Sequence, residues 1–128
     1  MTYPYLLLFS HHGLFILRLV VGIVFIYHSF PKLKDPKIMA QGLKWPVAGP
    51  FILGLVELLA GFSLVVGFFT QIAALLLALV MVGALWHKLV KWHVPFMAFD
   101  KIGWEFDLTL LAANIAIITT GGGSIGIL

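Results

Sequence analysis

Apolar side chains gather in four stretches, at about 13–30, 50–69, 71–88 and 103–120. Each is close to the ~20 residues of helix that a hydrocarbon layer of about 30 Å requires. The first stretch meets Pro31, which lacks a backbone donor and disfavours helix in the residue before it, so the pattern predicts a helix end there. Pro50 suits the first turn of the second helix. Only a Phe-Phe-Thr-Gln turn separates the second stretch from the third, which makes these two helices antiparallel neighbours. The fourth stops at Gly121, Gly122 and Gly123, where continued helix is unfavourable. The pattern therefore predicts an all-α membrane protein, a four-transmembrane-helix bundle forming one domain over residues 1–128.

Composition narrows the picture. With 62% hydrophobic and 10% charged residues and a mean hydropathy of +1.10, a water-soluble domain is excluded. The chain has no cysteine, which removes thiol catalysis, disulfide relays, cysteine-ligated clusters and c-type haem attachment. No nucleic-acid motif is present, and membrane lipid is the expected surroundings. The seven lysines fall in the first connection (Lys32, Lys34, Lys37, Lys44) or the third (Lys88, Lys91, Lys101). By the positive-inside rule both connections face the cytoplasm and both termini face outward. Trp45, Trp86, Trp92 and Trp104 lie at the same lysine-bearing ends, where an amphipathic ring prefers to sit. Residues 1–12 lack the basic region of a signal peptide.

Ionisable groups inside spans are costly and call for a partner or a function. Six stand out: Arg18 and His28 in the first helix, Glu57 in the second, His87 in the third, and Glu105 and Asp107 at the start of the fourth. Because alternate helices run in opposite directions, His28, Glu57, His87 and Glu105 all fall toward the cytoplasmic side, with Glu57 roughly 10 Å below the surface by helical rise. Arg18 lies near the opposite end. It either extends inward to pair with Glu57, bonds Asn114, or snorkels outward. Gly54, Glu57 and Gly61 share one face at the i, i+3, i+7 interval, so that face is expected to point into the bundle. Glu105 and Asp107 lie about 200° apart around their helix. Glu105 is the expected inward acid, above the small residues Thr109, Ala112 and Ala116; Asp107 reads as a helix-start carboxylate favoured by the dipole. His11, His12 and His93 lie outside the spans and read as interfacial histidines.

A weak internal symmetry accompanies this layer. His28 with Lys32 and Leu33 closes the first helix and Glu57 sits in the second; His87 with Lys88 and Leu89 closes the third and Glu105 starts the fourth. Two antiparallel hairpins in a pseudo-repeat place the layer between them. Three chemistries use such a layer. Imidazole and carboxyl groups hydrogen-bond a quinone head and exchange the protons that accompany electron transfer. His28 and His87 are alternatively axial ligands of a b-type haem. A metal ranks last, because the Glu-x-x-His pairs of di-iron bundles are absent. Against all three stands a buried ion-pair network that fixes helix register in a non-catalytic anchor or assembly subunit.

The run Arg18-Leu19-Val20-Val21-Gly22 with His28-Ser29-Phe30-Pro31-Lys32-Leu33 resembles the DoxX family pattern of an arginine, a glycine and a terminal His-small-x-x-Lys-Leu. The resemblance continues through Gly54 to Gly61 around Glu57, through Gly67-Phe68-Phe69-Thr70 and His87, and through Glu105-Phe106-Asp107-Leu108 with Ala112 and Ala113. It implies a four-helix protein of the bacterial or archaeal cytoplasmic (inner) membrane. One branch of the DoxX/DoxD group is associated with thiosulfate:quinone oxidoreductase, others with membrane-bound oxidoreductase assemblies or thiol-stress responses. The chain departs from the family at its end, where Gly121-Gly122-Gly123-Ser124-Ile125-Gly126 lacks the usual proline and acid. The expectation is thus a membrane subunit of a quinone-linked oxidoreductase system, acting with a partner subunit or as a homo-oligomer. His28, Glu57, His87 and Glu105 are its expected catalytic residues, and Arg18, His28 and His87 its expected cofactor contacts.

Overall fold

The computed structural model describes residues 3–97 and 99–126, and among them it is helical with no strand. A short turn, α1 (Pro4–Leu7), leads into α2 (Ser10–Lys34), followed by α3 (Pro36–Leu43), α4 (Ala48–Val66), α5 (Thr70–Trp86) and α6 (Trp104–Thr120). A π-helical turn, His87–Lys91, extends α5. Three helical segments, Ser10–Lys34, Ala48–Val66 and Thr70–Lys91, are long and apolar enough to cross a membrane. At 17 residues, α6 is shorter, and it packs along α5.

The first helix does not end at Pro31. It runs one further turn to Lys34, and the Asp35 N–H closes it on the Pro31 carbonyl at 2.9 Å. A proline so near the C-terminal end removes one helical donor without breaking the turns beyond it. That extra turn carries Lys32 on the helix rather than in a loop. The second helix stops where Gly67 takes a left-handed conformation (φ +79°), its N–H bonding the Ser63 carbonyl at 2.9 Å. Phe69, also left-handed (φ 47°), then reverses the chain directly into α5.

Close approach of α2 to α4 rests on two glycines. A Cβ on Gly61 would lie 2.8 Å from the Gly22 carbonyl oxygen, and one on Gly22 would lie 2.6 Å from that of Gly61. Backbone meets backbone there, as in small-residue crossings generally. The expected inward face of α4 is present: Gly54, Glu57 and Gly61 are all buried. Helix α5 pairs mainly with α6, and the α4–α5 and α2–α6 contacts complete the assembly. Its core joins Val21 and Phe25 of α2, Leu64 of α4, Ala74, Leu77 and Met81 of α5, and Leu110 and Ile117 of α6.

Candidate functional site

A cavity of about 630 Å³ lies between the helices at their lysine-bearing end. Its wall is mostly aliphatic and aromatic, and its charged or titratable groups are His28 and Lys32 from α2, Glu57 from α4, His87 and Lys88 from the end of α5, and Asp107 from α6. All four long helices contribute. Two ion pairs organise the polar groups. The Lys32 ammonium stands 2.6 Å from both oxygens of Glu57, whose side chain is 1% exposed. The Lys88 ammonium stands 2.6 Å from Asp107 Oδ2 and also donates to the Ile102 carbonyl at 3.3 Å. Each pair ties together one antiparallel hairpin, α2 with α4 and α5 with α6. The acid paired in the second hairpin is Asp107, not the Glu105 that the sequence symmetry matched to Glu57.

His87 sits in an aromatic enclosure. The rings of Trp45, Trp86 and Trp92 lie 5.7, 5.0 and 5.4 Å from it, centroid to centroid. Its Nδ1–H donates to the Gly83 carbonyl at 2.9 Å. A carbonyl only accepts, so this bond assigns the proton of the neutral ring to Nδ1 and leaves Nε2 as an acceptor. The π-helical turn begins at this residue, its fifth-residue bond running from the Trp92 N–H to the His87 carbonyl at 2.8 Å. Such turns insert one extra residue into a helix and are frequent at functional sites. On the facing wall the His28 ring packs against Phe106, 5.3 Å away.

Three expected site residues, His28, Glu57 and His87, are therefore brought together, and two others are not. Glu105 is half-buried and does not line the cavity; Asp107, 4% exposed, takes the inward position. The buried stripe of α6 is Asp107, Leu110, Asn114 and Ile117, and Thr109 and Ala112 face outward. In an apolar surround, small residues do not mark the inner face unless another helix closes on them, and on α6 none does. Arg18 neither pairs with Glu57 nor reaches the surface. The Gly22–Gly61 crossing sets the register so that Arg18 falls beside Gly67. That position lies ten residues along α4 from Glu57, or about 15 Å by helical rise and beyond the reach of a guanidinium. Arg18 is 1% exposed, donates from Nη1 to the Gly122 carbonyl at 3.2 Å, and lies over the Phe15 ring. Asn114 is no partner either: its Oδ1, the atom a guanidinium would need, accepts no hydrogen bond among the described residues, and its Nδ2 donates to the Leu110 carbonyl of its own helix.

In the sequence Lys32 and Lys88 mark orientation and the internal symmetry, and Lys32 the family pattern, but neither is an expected site residue. One signal for Lys32 was available: it lies four residues after His28, on the same helical face once the helix continues through Pro31. Among the described residues no group of three or more His, Asp or Glu side chains stands close enough to hold a metal ion.

Fold and site together define a helical protein with helices fit to cross a membrane and a cavity lined by paired lysines, carboxylates and two histidines. The family model for DoxX matches residues 13–92, and the chain belongs to the DoxX family. It is also 30% identical over 112 residues to a Bacillus subtilis (strain 168) protein named "Putative oxidoreductase CatD", spanning 85% of this chain and 79% of that one. No solved structure matches the chain. Its apolar helices and its family are those of a multi-pass membrane protein. The family match ends before α6, the helix that carries Asp107.

Proposed function

We propose that the chain is an integral membrane subunit of a quinone-linked oxidoreductase system, with α6 as the fourth span and the cavity as the quinone site. The observation that carries this reading is the cavity's composition. An apolar chamber within the ~300–1,000 Å³ range of small-molecule sites has six proton-exchanging or hydrogen-bonding side chains gathered at one end. That is the division a molecule with a polar redox ring and an apolar tail requires.

A bound quinone supplies two-electron, two-proton redox chemistry. In this assignment Lys32 and Lys88 hold N–H donors toward the ring's carbonyl oxygens. As electrons from a partner reduce the ring, His87 Nε2 would take a proton from the aqueous end and pass it to a ring oxygen. Glu57 and Asp107 keep the ammonium groups in place, and Trp45, Trp86 and Trp92 restrict water around His87. Glu105 has no part in this assignment, and Arg18 belongs to the packing of the opposite end. The lysine-bearing ends face the cytoplasm of a bacterial or archaeal inner membrane, with both termini outside. The electron donor then belongs to a partner oxidoreductase subunit.

Purification from native membranes, followed by solvent extraction and mass spectrometry, tests the reading. Expected are stoichiometric quinone, no haem Soret band, and loss of the quinone on His87→Ala. A second reading has its own support: both lysines are matched one to one by carboxylates, as a purely structural network requires. It predicts no bound quinone and loss of partner association when either pair is broken. A Soret band instead would favour His28 and His87 as haem ligands.

A further inference from the structure

We infer that the cavity is loaded sideways from the bilayer, through a cleft between α4 and α5, and that it takes a neutral, tail-bearing molecule rather than a water-borne anion. This rests on the quinone reading above and adds the route and the selectivity. Among the helical residues that line the cavity, the ones also exposed on the outside of the protein are Ile52 on α4 and Leu76, Leu79 and Gly83 on α5. The lining residues of α2 and α6, including Phe25, His28 and Leu110, are buried or half-buried. Among the helices the wall is therefore open on one side only; the other exposed lining residues, Trp45, Trp92 and Ile102, lie in the connections at the aqueous end.

Helix geometry explains the opening. Helices α4 and α5 are held together at their short connection around Gly67 and Phe69, yet each packs chiefly on a different partner, α2 and α6 respectively. Toward the lysine-bearing end both helices present exposed lining residues, and at Gly83 there is no side chain to fill the space, since an added Cβ would meet nothing within 4 Å. From His87 down to Leu76 the apolar lining follows α5 for eleven residues, about 16 Å by helical rise. That length accommodates a tail beneath a ring docked at the polar end.

Charge argues for the same occupant. Lys32 is neutralised by Glu57 and Lys88 by Asp107, so the cavity presents no surplus cation to hold an anion. Its aqueous end is framed by Trp45, Trp92 and Ile102, which are apolar at the rim.

The three tryptophans around His87 make the test direct, because a quinone ring at this position quenches their fluorescence. The full chain in liposomes is titrated with a decyl-tailed benzoquinone and, separately, with a tailless one. Gly83→Phe sets a ring in the cleft from a position where an added Cβ meets nothing within 4 Å, and Leu79→Ala widens it. Expected, from the rate at which quenching develops after mixing, is at least about tenfold slower association of the tailed quinone in Gly83→Phe, with the tailless one changed by less than about threefold and Leu79→Ala binding both. Equal effects of Gly83→Phe on the two quinones, or no effect on either, overturn the lateral route while leaving the quinone site standing. If neither quinone quenches the unmodified protein, the quinone reading itself fails and takes the route with it.

Discussion

Lys32 reaches both oxygens of Glu57 at 2.6 Å from a turn of helix that lies beyond a proline. The two partners are unequally placed. Glu57 is sealed inside the protein, whereas the lysine stem ends at an 18% exposed position from which the ammonium can turn toward water. Removing the lysine strands a buried carboxylate; removing the carboxylate leaves a cation with an exit. Lys32→Met is therefore expected to cost ~3–5 kcal/mol, as broken buried pairs do, and Glu57→Gln distinctly less. Thermal unfolding in one detergent orders the two variants, and the Lys32→Met/Glu57→Gln double variant should recover part of the single-lysine loss.

The helix crossing makes a second, sharper contrast. Gly61→Val forces a side chain into the Gly22 backbone and is expected to destabilise by ~1–3 kcal/mol or more, with α2 and α4 pushed apart. Gly83→Ala meets no neighbour and relieves the helix of a flexible residue, for a gain of up to ~1 kcal/mol. Melting temperatures of the two variants should move in opposite directions.

Asp107 and Glu105 stand two residues apart and are separable by function. Asp107→Asn removes the counter-charge of Lys88 inside the cavity and is expected to lower quinone-dependent turnover of the assembled system at least about tenfold. Glu105→Gln, outside the cavity, should leave it within about twofold. The reverse order would restore Glu105 as the inward acid.

At the far end, Arg18 ties the C-terminal glycine segment to the helices through the Gly122 carbonyl, beside a bond from the Ser124 N–H to His11 Nδ1. Arg18→Gln is expected to speed hydrogen exchange over residues 121–126 at least about tenfold, with the cavity end of α2 unchanged. Slowed or unaltered exchange there would show that the arginine does not hold the segment.

Much of this molecule was legible in one dimension. Runs of apolar residues near spanning length, the inward stripe of Gly54, Glu57 and Gly61, and the convergence of His28 and His87 follow from periodicity and from the cost of isolated polar groups in an apolar medium. What stayed hidden was rotational and relational. On α6 every face is apolar enough to be buried or to meet lipid, so composition does not say which of Glu105 and Asp107 turns inward. Arg18 has the chemistry to seek Glu57, but the Gly22–Gly61 contact fixes how far α2 slides along α4 and leaves it beside Gly67.

The sequence by itself determined the helical class, the family, the approximate ends of the long helices and the presence of costly polar groups, because these depend on hydrophobicity and local backbone preference. The tertiary structure alone decided that Lys32 and Lys88 are the partners of Glu57 and Asp107, and that the cavity opens between α4 and α5. Ion pairing acts over a few ångströms between helices, and those distances exist only once register, rotation and crossing have been set by packing.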